Sequence, residues 1–276
     1  MSEFLLVLFV PIIGGLIYGF ERIIRARMQS RLGPPLFQPF YDFFKLMDKR
    51  PMIIHSMHAL MGIMYFIAEW FAFAVLIFGN DILLAIFFHV LAVLALVIGA
   101  SSVRSPYSVI GSIRELMHMI SYEPIMVLMV VGLFLVCGSF NYRDILSYGG
   151  YPILQLPIVF LVFLFTIPMM LQKSPFDIAE AHQEIIGGPE IEYSGPFYEA
   201  VYTAKWIEYV YVFFFAFLFG GSHYWLGIIL VVFAFLFVNL LDNSTARLDF
   251  RKMIKFAWLI LIPLEAANIM LIAMWR

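Results

Sequence analysis

Apolar residues in this chain gather into long runs broken by short polar connections. Eight runs are long enough to cross a bilayer as helices. They are expected at 3–21, 57–78, 81–103, 113–138, 152–172, 199–220, 223–241 and 253–274. The strict alternation of a membrane β-barrel is absent. The pattern predicts an all-α polytopic membrane protein with eight transmembrane helices in a single integral domain, residues 1–276, with structured loops at about 22–56, 104–112, 173–198 and 242–252. Composition agrees: 63% of residues are hydrophobic and 13% charged, against roughly half and a quarter in soluble domains.

The formal charge of −2 says little, but its distribution says more. Fifteen of the seventeen lysines and arginines fall on one side of the eight-span arrangement, and only Arg143 and Arg276 on the other. By the positive-inside rule the basic loops are cytoplasmic and both termini face outward. That places the chain in the cell membrane as a multi-pass protein, its hydrophilic mass turned toward the cytoplasm.

Two loops stand out. In the first, Gly33-Pro34-Pro35 dictates a turn. Beyond Pro39, Phe40, Phe43, Phe44 and Met47 recur at helical spacing, with Asp42 and Lys45 off that face, as in an amphipathic helix lying at the interface. An arginine-rich membrane anchor explains the charges but not the turn, Gln29 or Gln38. The second loop, Lys173 to Glu199, carries Asp177, Glu180, Glu184, Glu190, Glu192 and Glu199. Ser174 as cap, Pro175 at the first helical position and Asp177 as capping-box acid predict a helix. On it Asp177, Glu180 and Glu184 share a face and repel one another. A solvated acidic loop is the plain alternative. Arg104-Ser-Pro-Tyr and Lys173-Ser-Pro-Phe each precede an acid ten residues beyond the serine, Glu115 and Glu184, which suggests a repeated capped helix; coincidence competes with that reading.

Ionisable residues also lie inside the expected spans: Glu69, His89, Glu115, His118, Glu123, Glu208 and Glu265. Each costs about 3 kcal/mol in hydrocarbon and so faces a partner or a wet cavity. Glu115, His118 and Tyr122 recur along one helical face, and Glu123 lies roughly 12 Å beyond Glu115. With Pro124 expected to kink the span, this is the pattern of a proton relay. The alternatives are structural: an ion pair of Glu208 with Lys205 one turn earlier, a packing role for His89, and neutral, hydrogen-bonded Glu69 and Glu265. The single cysteine, Cys137, excludes a disulfide framework or a cysteine-ligated cluster within the chain. The first run, with Glu3 before it and arginines after, reads as an uncleaved span.

The segments ARMQSRLGPPLFQPFYDFFKL, RSPYSVIGSIREL with ISYEP, and KSPFDIAEAHQEIIGGPEIEYSG together resemble the membrane subunit shared by respiratory complex I, where it is NADH dehydrogenase subunit 1, and energy-converting membrane-bound [NiFe]-hydrogenases. The compact run from Gly33-Pro34 to Gln38-Pro39 and the string Ala181-His182-Gln183-Glu184 look like the hydrogenase branch. The resemblance implies a non-catalytic subunit with no cofactor of its own. Its partners would be a [NiFe] large subunit and an iron–sulfur small subunit in a soluble arm served by ferredoxin, with antiporter-like membrane subunits alongside in the lipid bilayer. No nucleic acid is implied. The coupling acids would be Asp177, Glu180, Glu184 and Glu192 in the loop, and Glu115 and Glu123 in the fourth span; His118 and Glu208 join them on the residue reading. The arm would dock on Arg27, Gln29, Arg31, Gly33, Pro34, Gln38, Asp42 and Lys45, and on Lys173, Pro175 and Phe176. A quinone-reducing subunit, a sulfur-reducing relative and a stand-alone ion transporter remain the alternatives.

Overall fold

A computed structural model describes residues 2–79 and 81–275. Asn80, in the short 79–81 connection, and Arg276 lie outside them. The described residues form helices and connecting loops: α1 Ser2–Met28, α2 Gln38–Met47, α3 Ser56–Ile77, α4 Ile82–Ser101, α5 Pro106–Cys137, α6 Tyr142–Ser147, α7 Pro152–Gln155, α8 Pro157–Met170, α9 His182–Ile185, α10 Pro196–Leu218, α11 Tyr224–Ser244, α12 Phe250–Phe256 and α13 Ile262–Trp275. A π-helical turn, Ala257–Leu261, joins the last two.

All eight apolar runs are helical, but among the described residues only seven helices are long and apolar enough to cross a membrane. The fifth run departs from expectation. Pro157 cannot continue a helix begun at Pro152, so the run splits into one turn and the 14-residue α8. At 1.5 Å per residue α8 spans about 21 Å, short of the ~30 Å hydrocarbon core. α1, by contrast, runs on to Met28, so Arg22, Arg25 and Arg27 belong to a helix rather than a loop.

Of the seven long apolar helices among the described residues, α10 is the most buried, with Trp206, Tyr211, Phe215 and Phe219 beyond its end all deep in the core. It packs against α1, α3 and α11, while α5 packs against α4, α8 and α13. Apolar faces of the outer helices, such as Phe4, Phe9, Ile229 and Leu259, stay exposed, as lipid-facing positions do. Polar contacts sort to two ends. At one, Glu3 pairs with Arg143 at 2.6 Å and the 220–222 turn meets Tyr148. At the other, the four basic connections converge, with Arg25 on Asp242 and Arg247 on Asp177.

Candidate functional site

Beyond the end of α8 at Met170, the 171–195 loop fills a hollow between α5 and α10. Small residues permit the fit. A Cβ on Gly111 of α5 would fall 2.5 Å from Gly188, and one on Gly99 of α4 would fall 2.3 Å from the Tyr193 hydroxyl. Ala179, Ala181, Gly188 and Pro189 are buried accordingly.

This packing replaces the helix expected from Ser174. Backbone groups there find tertiary partners instead: Ser174 N–H donates to Asp242 Oδ1 at 3.0 Å, Leu248 N–H donates to the Pro175 carbonyl, and Arg114 donates to the Ile178 carbonyl. Only His182–Ile185 and the short 3-10 turn Gly188–Glu190 coil among the loop's described residues. Of the two Ser-Pro segments, Ser105-Pro106 alone opens a helix, α5. Asp177, Glu180 and Glu184 therefore form no repelling stripe, because each meets a cation. Asp177 meets Arg247 at 2.8 Å, Glu184 meets Arg114 at 2.8 Å, and Glu180 meets Lys205. Hydrogen bonding from Arg114, then its charge and that of Arg247, holds the Glu184 carboxyl below its usual range.

Lys205 is the hinge of the site. Its ammonium contacts Glu180 and Glu190 together, and the expected Lys205–Glu208 ion pair is not formed among the described residues. One ammonium cannot neutralise two carboxylates. Burial, helped by the negative charge of Glu115, pushes Glu190 up to about 8. Beside these groups lies a cavity of about 60 Å³, lined by Gln172, Lys173, Glu180, Lys205 and Glu208. A water needs roughly 10–15 Å³ on this measure, so several fit.

From the cavity the polar groups continue inward. The Gln172 amide donates to Glu115, which is 4% exposed. His118, one turn on, places Nδ1 3.2 Å from the Met169 carbonyl, and its Nε2 has no partner among the described residues. Neither oxygen of Glu123 has one either. α5 runs unbroken through Pro124.

Two groups of functional interest escape a reading of single helices. Glu69 and His89, on adjacent α3 and α4, meet at 2.9 Å; the far nitrogen of His89 lies 3.3 Å from the Tyr122 hydroxyl, and its ring stacks on Tyr211. His89 is thus one link of a chain, not a lone packing residue. Glu21, near the end of α1, binds Lys173 at 2.9 Å and Arg25 at 3.1 Å, and accepts a 2.5 Å hydrogen bond from Tyr209. The signal for both was the presence of polar residues in neighbouring spans, which only tertiary structure pairs.

The expected docking residues divide. Arg27, Gln29, Arg31 and Lys45 are exposed, and Gly33, Pro34, Gln38 and Asp42 are half-buried. Asp42 accepts from Arg22 and Gln38. Lys173 and Phe176 turn inward, Lys173 to Glu21 and Phe176, 1% exposed, against Phe256. Pro175 is half-buried beside them. The loop surface left open is His182, Gln183, Glu184 and Ile186. Glu192 is half-buried and pairs with no cation among the described residues.

The amphipathic α2 is present as expected, with Phe40 and Phe43 against Trp206. On its polar side lies a cavity of about 400 Å³ bearing Glu21, Arg22, Arg25, Asp42 and Lys45. On its apolar side is a groove of about 480 Å³ bounded by Pro11, Leu16, Phe40, Phe44 and Trp206. Among the described residues no three His, Cys, Asp or Glu side chains cluster in a way that could hold a metal ion.

A family model described as NADH dehydrogenase matches residues 2–273. An NADH-quinone oxidoreductase subunit of Brevibacillus brevis is 33% identical, the match covering 92% of this chain and 86% of that protein. Its counterpart in Geobacter metallireducens is 30% identical, covering 91% and 88%. Among solved structures, a chain of the membrane-bound sulfane sulfur reductase, an archaeal respiratory membrane complex, superposes with a TM-score of 0.89 over 98% of both chains at 22% identity. At that identity the likeness shows the fold.

Proposed function

The chain belongs to the NADH dehydrogenase family, and from that premise we propose that it is the membrane anchor and coupling subunit of an energy-converting redox complex. Its basic loops face the cytoplasm and receive a soluble arm on Arg27 to Lys45 and on His182 to Ile186. A change of charge at the arm alters the balance among Glu180, Glu190 and Lys205. That balance sets proton occupancy at Glu208 and, through Gln172, at Glu115, from which His118 and Glu123 lead inward. The chain takes part in ion movement without a redox centre of its own. The observation that carries this reading is the burial of an acidic loop against membrane helices, around one lysine and a cavity large enough for water.

The finer assignment is a hydrogenase-type arm with [NiFe] and iron–sulfur subunits that draws electrons from ferredoxin and works with antiporter-like subunits. The compact first loop and Ala181-His182-Gln183-Glu184 support it. Purification of the native complex tests it: the expected result is a large subunit with two paired CxxC motifs and ferredoxin-dependent hydrogen evolution. A large subunit lacking those cysteines, with turnover on sulfur compounds, overturns it.

A second reading, reduction of a membrane quinone, is favoured by the apolar groove between α1, α2 and α10, which adjoins a polar cavity across α2. Stoichiometric quinone extracted from the purified complex, and lost on Phe44→Asp substitution, would establish it.

A further inference from the structure

One carboxyl in the last membrane helix takes no part in the site above. Glu265 is 0% exposed, and neither of its oxygens has a hydrogen-bond partner among the described residues. An ionised carboxylate buried without a partner is far costlier than the same group carrying a proton. No neighbouring chain can supply a partner to a side chain already enclosed by its own.

Local sequence explains the setting. Pro263 has no N–H, and its ring crowds the carbonyl four residues back. Just before it the helix widens into the π turn Ala257–Leu261, a distortion often found at functional positions. One turn after Glu265, Asn268 is inserted into the break between α7 and α8. Its Oδ1 accepts from the Ile158 and Val159 N–H groups at 3.2 and 3.4 Å, and its Nδ2 donates to the Gln155 carbonyl at 3.4 Å. Residues three apart lie about 60° from one another around a helix. Glu265 therefore sits one turn deeper than Asn268 on the side of α13 that packs along α8.

The surroundings limit what Glu265 binds. α13 packs against α5, α8 and the π turn. α8 and the π turn contain no titratable side chain. α5 offers Tyr107, Arg114, Glu115, His118, Tyr122, Glu123 and Cys137, and its one guanidinium is engaged by Glu184 and Ile178. A metal cation requires several oxygen ligands, yet the Asn268 amide is consumed by backbone groups, and among the described residues Glu265 belongs to no cluster of three His, Cys, Asp or Glu side chains that could hold one. A proton requires one carboxyl.

We propose that Glu265 is a second proton-binding site, placed at the α7–α8 break apart from the loop-side carboxyls, which holds a proton in the resting protein and exchanges it with water through that break. The site is a property of the resting molecule and does not depend on the coupling role. Infrared difference spectroscopy on the intact complex in lipid nanodiscs at neutral pH tests it. A carboxylic-acid C=O band should be lost in Glu265→Gln, retained in Glu123→Gln, and shifted when the native complex is moved into D₂O. Glu265→Asp keeps an acid and should shift the band without deleting it, so the assignment survives even where the Gln variant fails to assemble. An unchanged band in either Glu265 variant overturns the proposal, as does a Glu265 band that stays unshifted in D₂O.

Discussion

Lys205 shows how one residue organises the site. Its ammonium serves two loop acids, and removing it leaves Glu180 and Glu190 in a water-poor hollow without a cation. Lys205→Met should therefore destabilise the protein by about 3–5 kcal/mol, read as a lower thermal midpoint, with Lys205→Arg recovering most of the loss. Glu190 adds a pH dependence. Its folded value, about 8, lies above the ordinary 4.5, so the native loop binds the proton more tightly than the unfolded chain. The stability this provides is complete below pH 4.5 and is lost as pH rises through 8. Hydrogen-exchange protection of the 173–195 loop, corrected for intrinsic rates, should fall over that window, and Glu190→Gln should remove the slope. Glu115 and Glu123 were legible in the sequence as acids in an apolar run. That Lys205 would pair with two loop acids was not, since i, i+3 spacing describes one helix and the competing acids come from another segment.

At the scale of elements, long apolar runs predicted their helices closely because a bilayer leaves backbone groups few alternatives. Prediction failed where tertiary partners were available. The Ser174-Pro175 capping signal is sound, but Asp242, Leu248 and Arg114 claim the backbone groups a helix would have used. The fifth run has the length of a span in sequence, and Pro157 breaks it. Beyond the other end of α8 the loop is seated by close approach at Gly188, with φ of 54° and a position where a Cβ would sit 1.9 Å from the Ala179 carbonyl oxygen. Gly188→Ala cannot be accommodated without displacing the loop. It should cost upward of about 2 kcal/mol locally and expose the 173–195 segment to limited proteolysis, while helicity by circular dichroism stays unchanged.

Across the whole molecule, polar groups are distributed unequally. One end carries a single ion pair, Glu3 with Arg143, among the described residues. The other gathers the basic connections, the acidic loop and both α2 cavities, and from it carboxyls extend into the helices. The sequence displayed that asymmetry in its lysines and arginines, and the family motifs lie almost wholly in the same loops. What it did not display was depth: the acidic loop is a plug between helices, and Glu69, His89 and Tyr122 join across three of them. The central claim, that these acids exist to change protonation, is tested most directly in the complete complex reconstituted into liposomes, with redox turnover and the ion gradient recorded together. Glu123→Gln should assemble, keep electron transfer and build no gradient; a full gradient in that variant would contradict the account.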